Sequence, residues 1–191
     1  MWRWMVQDWQ WPAAGLLASL FLLAIAPVVG GLGGLALALV FVQLPAYMIH
    51  QWEEHRGDRF RSYINQTIGG GREALTPAAT FWINALGVWG IDLVAIYLAW
   101  AWKPAAGLVA GYLALVNALL HIGPAIGRRR YNPGLITAIF LFLPLGGLCV
   151  GTAGGRATIA DHAAGLGVAV AVHALVVVHV IRRLAALPRA G

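Results

Sequence analysis

The chain has 191 residues, 60% hydrophobic and only 10% charged, and its 13 lysines and arginines against 7 acids give a net charge of +6. A soluble domain carries about 25% charged residues. The composition therefore excludes an ordinary soluble enzyme and a disordered chain, and a single cysteine, Cys149, excludes an intrachain disulfide framework. What remains is an all-α, polytopic membrane protein, with lipid in place of water around most of its surface.

A membrane-spanning helix needs about 20 mostly apolar residues. Six segments meet that need, and they predict one domain, residues 1–191, built as a six-helix transmembrane bundle. The first span covers 12–29 and ends in a turn at Gly30, Gly31, Gly33 and Gly34. The second covers 35–52, with Pro45 expected to kink it and free the carbonyl of Phe41. The third covers 77–102, with Thr76 as N-cap and Pro77 at the first helical position. The fourth covers 105–122, stopped by Gly123-Pro124, the fifth 135–150, and the sixth 159–181.

Orientation follows from arginine and lysine. The side holding the N-terminus receives Arg3, Arg56, Arg59, Arg61, Arg72, Arg128, Arg129, Arg130, Arg182, Arg183 and Arg189; the other receives Lys103 and Arg156. Both termini are expected in the cytoplasm. Trp2, Trp4, Trp9, Trp11, Trp52 and Trp82 would form an inner interfacial belt, with Trp100 and Trp102 marking the outer one. Lys103 is the one lysine among arginines, a bias expected of a GC-rich bacterial genome and hence of a bacterial cytoplasmic membrane. Basic runs between apolar segments read as topology, so no nucleic-acid partner is expected. Ala24-Ile25-Ala26 has the form of a signal cleavage site, but Pro27 would block the cut, so the first span is read as retained. The Asn65-Gln66-Thr67 sequon falls in a cytoplasmic loop and should stay unglycosylated.

Ionisable groups inside spans are costly and point to function. On the second helix Gln43, Tyr47, His50 and Glu54 follow at i, i+4, i+7 and i+11, one helical face, and Glu53 flanks the stripe. On the fourth, Asn117 and His121 are i, i+4. On the sixth, His162, His173 and His179 lie near the outer end, the middle and the cytoplasmic end. At 1.5 Å per residue, His50, His121 and His179 fall at one depth, and His173 matches Asn117. Three helix C-termini meet there, where the helix dipoles favour a cation. His50, Glu53, Glu54, His121, His179 and His173 are thus candidate ligands for one or two divalent ions, zinc or iron, and His50, Glu53, Glu54 and His121 are candidate catalytic groups. Cys149 lies at the far end of the fifth helix, out of reach.

Blander readings stand beside these. Glu53-Glu54 can simply mark a helix leaving the membrane; His50 one turn earlier, backed by Gln43 and Tyr47, favours a site. His55 and Arg56 read as solvated loop residues and His162 as interfacial; His173 and Asn117 are equally readable as interhelical hydrogen bonders. Asp92, central in the third helix, needs a partner or a proton. Asn84 and Tyr47 are candidate lining residues. Gly69-Gly70-Gly71-Arg72 lacks the ending of a phosphate loop and reads as a joint. Arg128-Arg129-Arg130 before Tyr131-Asn132-Pro133-Gly134 is a basic run and a turn, with Arg130 and Tyr131 candidates for holding a polar headgroup.

His50-x-x-Glu53-Glu54, Asn117-x-x-x-His121 and Tyr131-x-Pro133-Gly134, in that order in an all-helical membrane protein, resemble the HXXEE-domain family. The resemblance implies a site at those residues and an enzymatic role; it supplies no reaction. Three functions then follow. The first is a metal-dependent membrane enzyme acting on a lipid-like or amphipathic substrate at the cytoplasmic leaflet, with Asn117, Tyr131, Asn84, Tyr47 and Arg130 around that substrate. The second is a metal-independent glutamate-type hydrolase, loosely like the membrane-embedded CAAX-type proteases but differing in arginine spacing and in the Asn-x-x-x-His motif. The third is a proton or metal-ion transporter using Asp92, His173 and His162 as a path. Polar residues crowd one side of the membrane, which favours the enzymes over a conduit.

Overall fold

The structure is a computed structural model and describes residues 1–188; Arg189 lies outside the described residues. Every regular element among them is helical.

Helix α1 (Trp11–Phe41) is turned back on itself at Gly34, whose φ of 73° and ψ of −175° are open to glycine alone. The reversal lays the two arms side by side, with Gly15 against Met48 and Gly30 against Ala38. After a break at Val42, α2 (Gln43–His55) carries the second arm onward. The break falls where Pro45 leaves the Phe41 carbonyl without an N–H, as the sequence predicts. Gly57 and Asp58, both at positive φ, then turn the chain into α3 (Arg59–Thr67).

This third helix corrects the reading of its segment as a loop. It is too short and polar to register as a span, but Phe60 and Ile64, one turn apart, seat it on Ala74, Leu75 and Val180. The glycine joint follows, with Gly70 and Gly71 at positive φ.

Thr76 caps α4 (Pro77–Asn84) by accepting a hydrogen bond from the Ala79 amide at 3.1 Å. A π-helical stretch, Ala85–Gly90, leads into α5 (Ile91–Ala101). Helix α6 (Leu108–Arg128) corrects the expected stop at Gly123-Pro124, since it runs through Pro124 to Arg128. Proline there deprives only the Leu120 carbonyl of its bond, on an exposed stretch of the helix. Helix α7 (Leu135–Thr137) passes through a π stretch, Ala138–Phe142, into α8 (Leu143–Ala153). Thr158 and Asp161 form a reciprocal capping box that starts α9 (Ile159–Ala186), which extends beyond the expected end at 181.

Among the described residues, five helical stretches are long and apolar enough to cross a membrane: Trp11–Thr67, Pro77–Ala101, Pro104–Arg128, Leu135–Ala153 and Ile159–Ala186. The first covers 57 residues and contains the Gly34 reversal, so the segments 12–29 and 35–52, read from the sequence as separate spans, lie on either side of that reversal within one stretch. Apolar side chains such as Leu17, Leu20, Phe21, Leu175 and Val177 face outward. Water would penalise such faces and lipid does not.

Inside, Leu37, Val40, Ala95, Ala99, Leu108 and Cys149 form one apolar cluster, and Tyr47, Leu113, Ala114, Ala118, Phe142 and Ala169 form a second. Close crossing of α6 and α8 depends on small residues. A Cβ on Gly111 would lie 3.1 Å from Cys149 Sγ, and one on Gly146 would lie 3.1 Å from the Gly111 carbonyl oxygen. This crossing fixes where α6 presents His121 to α2.

A candidate metal centre

Residues four apart share a helix face, so α2 points His50 and Glu54 the same way. Helix α6 brings His121 to them. The ligand atoms of these three buried residues lie within 4.8 Å of one another. Glu54 Oε2 is 3.6 Å from His50 Nε2, and Glu54 Oε1 is 3.5 Å from His121 Nε2. Two ligands held at about 2.0–2.1 Å by a tetrahedral ion sit about 3.4 Å apart. The separations therefore suit one ion.

Neighbouring residues fix both ring tautomers. Glu53 accepts four hydrogen bonds: from Tyr131 Oη at 2.9 Å, Ile136 N at 3.1 Å, Thr137 N at 2.8 Å, and Thr137 Oγ1. The amides are the open ones at the start of α7, where a helix favours an anion. Because the Thr137 hydroxyl donates its proton to Glu53, its oxygen accepts from His50 Nδ1, 2.7 Å away. Asn132 works similarly on the other ring. Its Nδ2 donates to the His121 carbonyl at 2.8 Å, which leaves its Oδ1 to accept from His121 Nδ1, also at 2.8 Å. Both rings therefore carry the proton on Nδ1 and present the Nε2 lone pair to Glu54.

His50 Nε2 is buried without a hydrogen-bond partner. Two Nε2 atoms and a carboxylate face each other at the centre of the cluster, an arrangement that calls for a positive charge there, which a metal ion or a proton supplies.

Gly134 permits this approach. Pro133 and Gly134 occupy the middle of a turn closed by the Leu135 amide donating to the Asn132 carbonyl at 3.1 Å, with Gly134 at φ 96°. A Cβ there would lie 2.7 Å from His121 Cε1 and 2.8 Å from His50 Cε1. The Tyr-x-Pro-Gly turn is thus a bare backbone wall against both imidazoles. Phe142 covers His50 from the deep side, ring centroids 4.3 Å apart, and Tyr47 packs on Phe142 at 4.4 Å.

The other sequence candidates fall elsewhere. Glu53 is turned away from the cluster and committed to Tyr131, Ile136 and Thr137. His179 is exposed beside Arg182 and Arg183. His173 bonds through Nδ1 to its own helix at the Ala169 carbonyl, 2.8 Å away. Asn84 is buried in a separate network, accepting from Gln51 Nε2 at 2.8 Å and donating to the Thr80 carbonyl. Asn117 keeps a buried, partnerless Oδ1, and Tyr47 a partnerless hydroxyl. Arg130 is exposed. Tyr131 is half-exposed, and burial first, then its bond to Glu53 and that residue's charge, raise its pKa above the ordinary 10. His162 bonds to the Tyr112 hydroxyl at 2.8 Å. Asp92 is fully buried with both carboxylate oxygens partnerless.

His55 corrects its reading as a solvated loop residue. Helix α2 reaches it, it is 6% exposed, and its Nε2 is 3.0 Å from Glu54 Oε2. Asn132 and Thr137 were not singled out from the sequence. Asn132 sits at the unspecified position of the Tyr-x-Pro-Gly motif, and Thr137 one turn beyond it carries no sequence signal.

These features define an all-helical protein with membrane-compatible apolar faces and a buried His-Glu-His cluster able to hold a metal ion. The family described as protein of unknown function with HXXEE motif matches residues 41–149, which carry the whole cluster and the wall around it. The chain belongs to that family. No curated protein and no solved structure matches the chain.

Proposed function

We propose that the protein is a multi-pass membrane enzyme that holds one divalent ion, zinc or iron, at His50, Glu54 and His121. It acts on a lipid-like or amphipathic substrate at the cytoplasmic leaflet. The observation that carries the reading is the convergence of two imidazole lone pairs on one buried carboxylate, each ring held in that state by its own partner. A set of two histidines and one carboxylate serves both zinc hydrolases and non-haem iron enzymes, and leaves positions open for a reactant. When bound, the ion would supply Lewis-acid polarisation or a nucleophile at neutral pH.

The chain's own residues have distinct parts in this reading. Glu53 and Thr137 orient His50, Asn132 orients His121, and Phe142 and Tyr47 keep water from the deep side. Counting the two arms about Gly34 as separate crossings gives six spans, with both termini beside the basic loops on the cytoplasmic side. The arginine bias supports a bacterial membrane.

The test is elemental analysis of protein purified without chelators. We expect about one zinc or iron per chain in the native protein, and loss of it in His50→Ala, His121→Ala and Glu54→Gln. A native protein that folds but carries less than about a tenth of an ion would remove the metal reading. The enzyme reading is tested by mass spectrometry of a total lipid extract incubated with the loaded protein. Lipid species that change equally with Glu54→Gln would refute it.

A further inference from the structure

We propose that a pocket beside this centre binds a zwitterionic group that joins a phosphate to a primary amine. The inference deepens the reading above: it rests on that reading for the pocket's role, not for its occupancy.

The pocket has a volume of about 470 Å³ and lies between the N-terminal segment and the end of α2. That is within the range of small-ligand sites, about 300–1,000 Å³. Its wall includes Trp9, Trp11 and Trp52, with His55 among its lining residues. The His55 ring packs against Trp11 and Phe60, centroids 5.0 and 5.5 Å apart, and its Nε2 is 3.0 Å from Glu54 Oε2. The pocket is therefore one imidazole away from the carboxylate of the candidate metal centre.

The wall's charges select the guest. Asp58 and Arg61 pair with each other, and Arg61 also reaches Glu73. Arg56 and Asp8 have no ion-pair partner among the described residues. The Arg56 guanidinium lies over the Trp52 ring, 4.9 Å from its centroid, a contact that leaves its hydrogen-bond donors free. A guanidinium so placed takes a phosphate. The Asp8 carboxylate on the same wall only accepts, so it takes an ammonium. A purely anionic guest would meet Asp8 and a purely cationic one Arg56; a zwitterion satisfies both. Tryptophan-rich walls belong at headgroup depth in a bilayer, where phosphoethanolamine lipids present this group.

The experiment is native mass spectrometry of the full chain in neutral detergent with phosphatidylethanolamine, phosphatidylglycerol and soluble glycerophosphoethanolamine. Phosphatidylethanolamine should be retained, with phosphatidylglycerol weaker by about tenfold, the loss expected for one unmatched charged hydrogen bond. Arg56→Gln and Asp8→Asn should each weaken phosphatidylethanolamine by a similar factor while metal content stays native. Competition by glycerophosphoethanolamine would identify the headgroup alone as sufficient; absence of competition would make the intact lipid the guest. Equal retention of phosphatidylglycerol, or full retention of phosphatidylethanolamine by both variants, overturns the proposal. Asp8 is exposed, so its variant keeps the test open should Arg56→Gln misfold. Selective binding by a protein free of metal would sink the metal reading and leave this inference standing.

Discussion

Replacing Gly134 by alanine adds one methyl group at the most confined point of the site. The new Cβ would lie 2.7 Å from His121 Cε1, 2.8 Å from His50 Cε1 and 3.1 Å from His121 Nε2. Each of these is inside the ordinary contact distance of about 3.5–4.0 Å, so the two rings must retreat by about 0.7–1.3 Å. Both rings are pinned through Nδ1, His50 by Thr137 and His121 by Asn132, and cannot turn away without breaking those bonds. Alanine at φ 96° also carries left-handed backbone strain of about 1–2 kcal/mol. Overpacking adds about 1–3 kcal/mol. The expected total is about 2–5 kcal/mol of lost stability, or, where the rings yield, a loss of metal affinity of about 10–100-fold, as for disturbed outer-sphere partners. Elemental analysis and thermal unfolding read the two outcomes. Gly127→Ala is the control: a Cβ there meets nothing within 4 Å, and alanine favours the helix interior by up to about 1 kcal/mol. A Gly134→Ala protein that melts and binds metal like the native chain would refute the assignment of this turn as the wall of the centre.

Three further outcomes follow from the same geometry. Thr137→Val removes the hydroxyl that links His50 to Glu53 and should weaken metal binding by about 10–100-fold, with Thr137→Ser restoring it; isothermal titration with zinc checks both. Glu53→Gln and Glu54→Gln should separate, because Glu53 accepts four donors from Tyr131, Ile136 and Thr137 while Glu54 lies among His50, His55 and His121. The first should cost about 1–3 kcal/mol of stability and leave the cluster in place, whereas the second should abolish metal binding, as elemental analysis and thermal melts of the two variants check. Tyr131 has a raised pKa, so its stabilising bond to Glu53 is fully present below the unfolded value near 10 and is lost only as pH rises through the higher folded value. An ultraviolet difference titration against Tyr131→Phe should show its phenolate forming later than a free tyrosine's; an earlier appearance contradicts the bond.

Periodicity and depth were legible in the sequence, while rotation about each helix was not. The i, i+4, i+7 stripe on α2 placed His50 and Glu54 on one face, and equal depth brought His121 to them. The same depth rule nominated His179, but α9 turns that side chain outward, and nothing in an isolated helix says which face meets the bundle. Glu53 and Glu54 differ by about 100° of helical rotation, so one centre on α2 could engage only one of them directly. The loop between α6 and α7 was readable as a turn because proline and glycine announce it. That Asn132 within it would clamp His121 depends on contacts between residues far apart in space before folding. His55 and α3 were missed for a common reason. Both lie at the polar end of the apolar run, where hydropathy fades while helical packing on Phe60 and Ile64 continues.

Asp92 bears on how the chain reaches its membrane. It lies in Pro77–Ala101, the least apolar of the five long helical stretches, and both its oxygens are buried without partners. A central aspartate opposes insertion of a lone helix by about 3 kcal/mol. Synthesis from the N-terminus delivers Leu37 and Val40 first, and these are the residues on which Ala95 and Ala99 of the same stretch pack. The hairpin about Gly34 is therefore available as a docking surface before Asp92 leaves the ribosome, and assembly order becomes a property written into the position of a single acid.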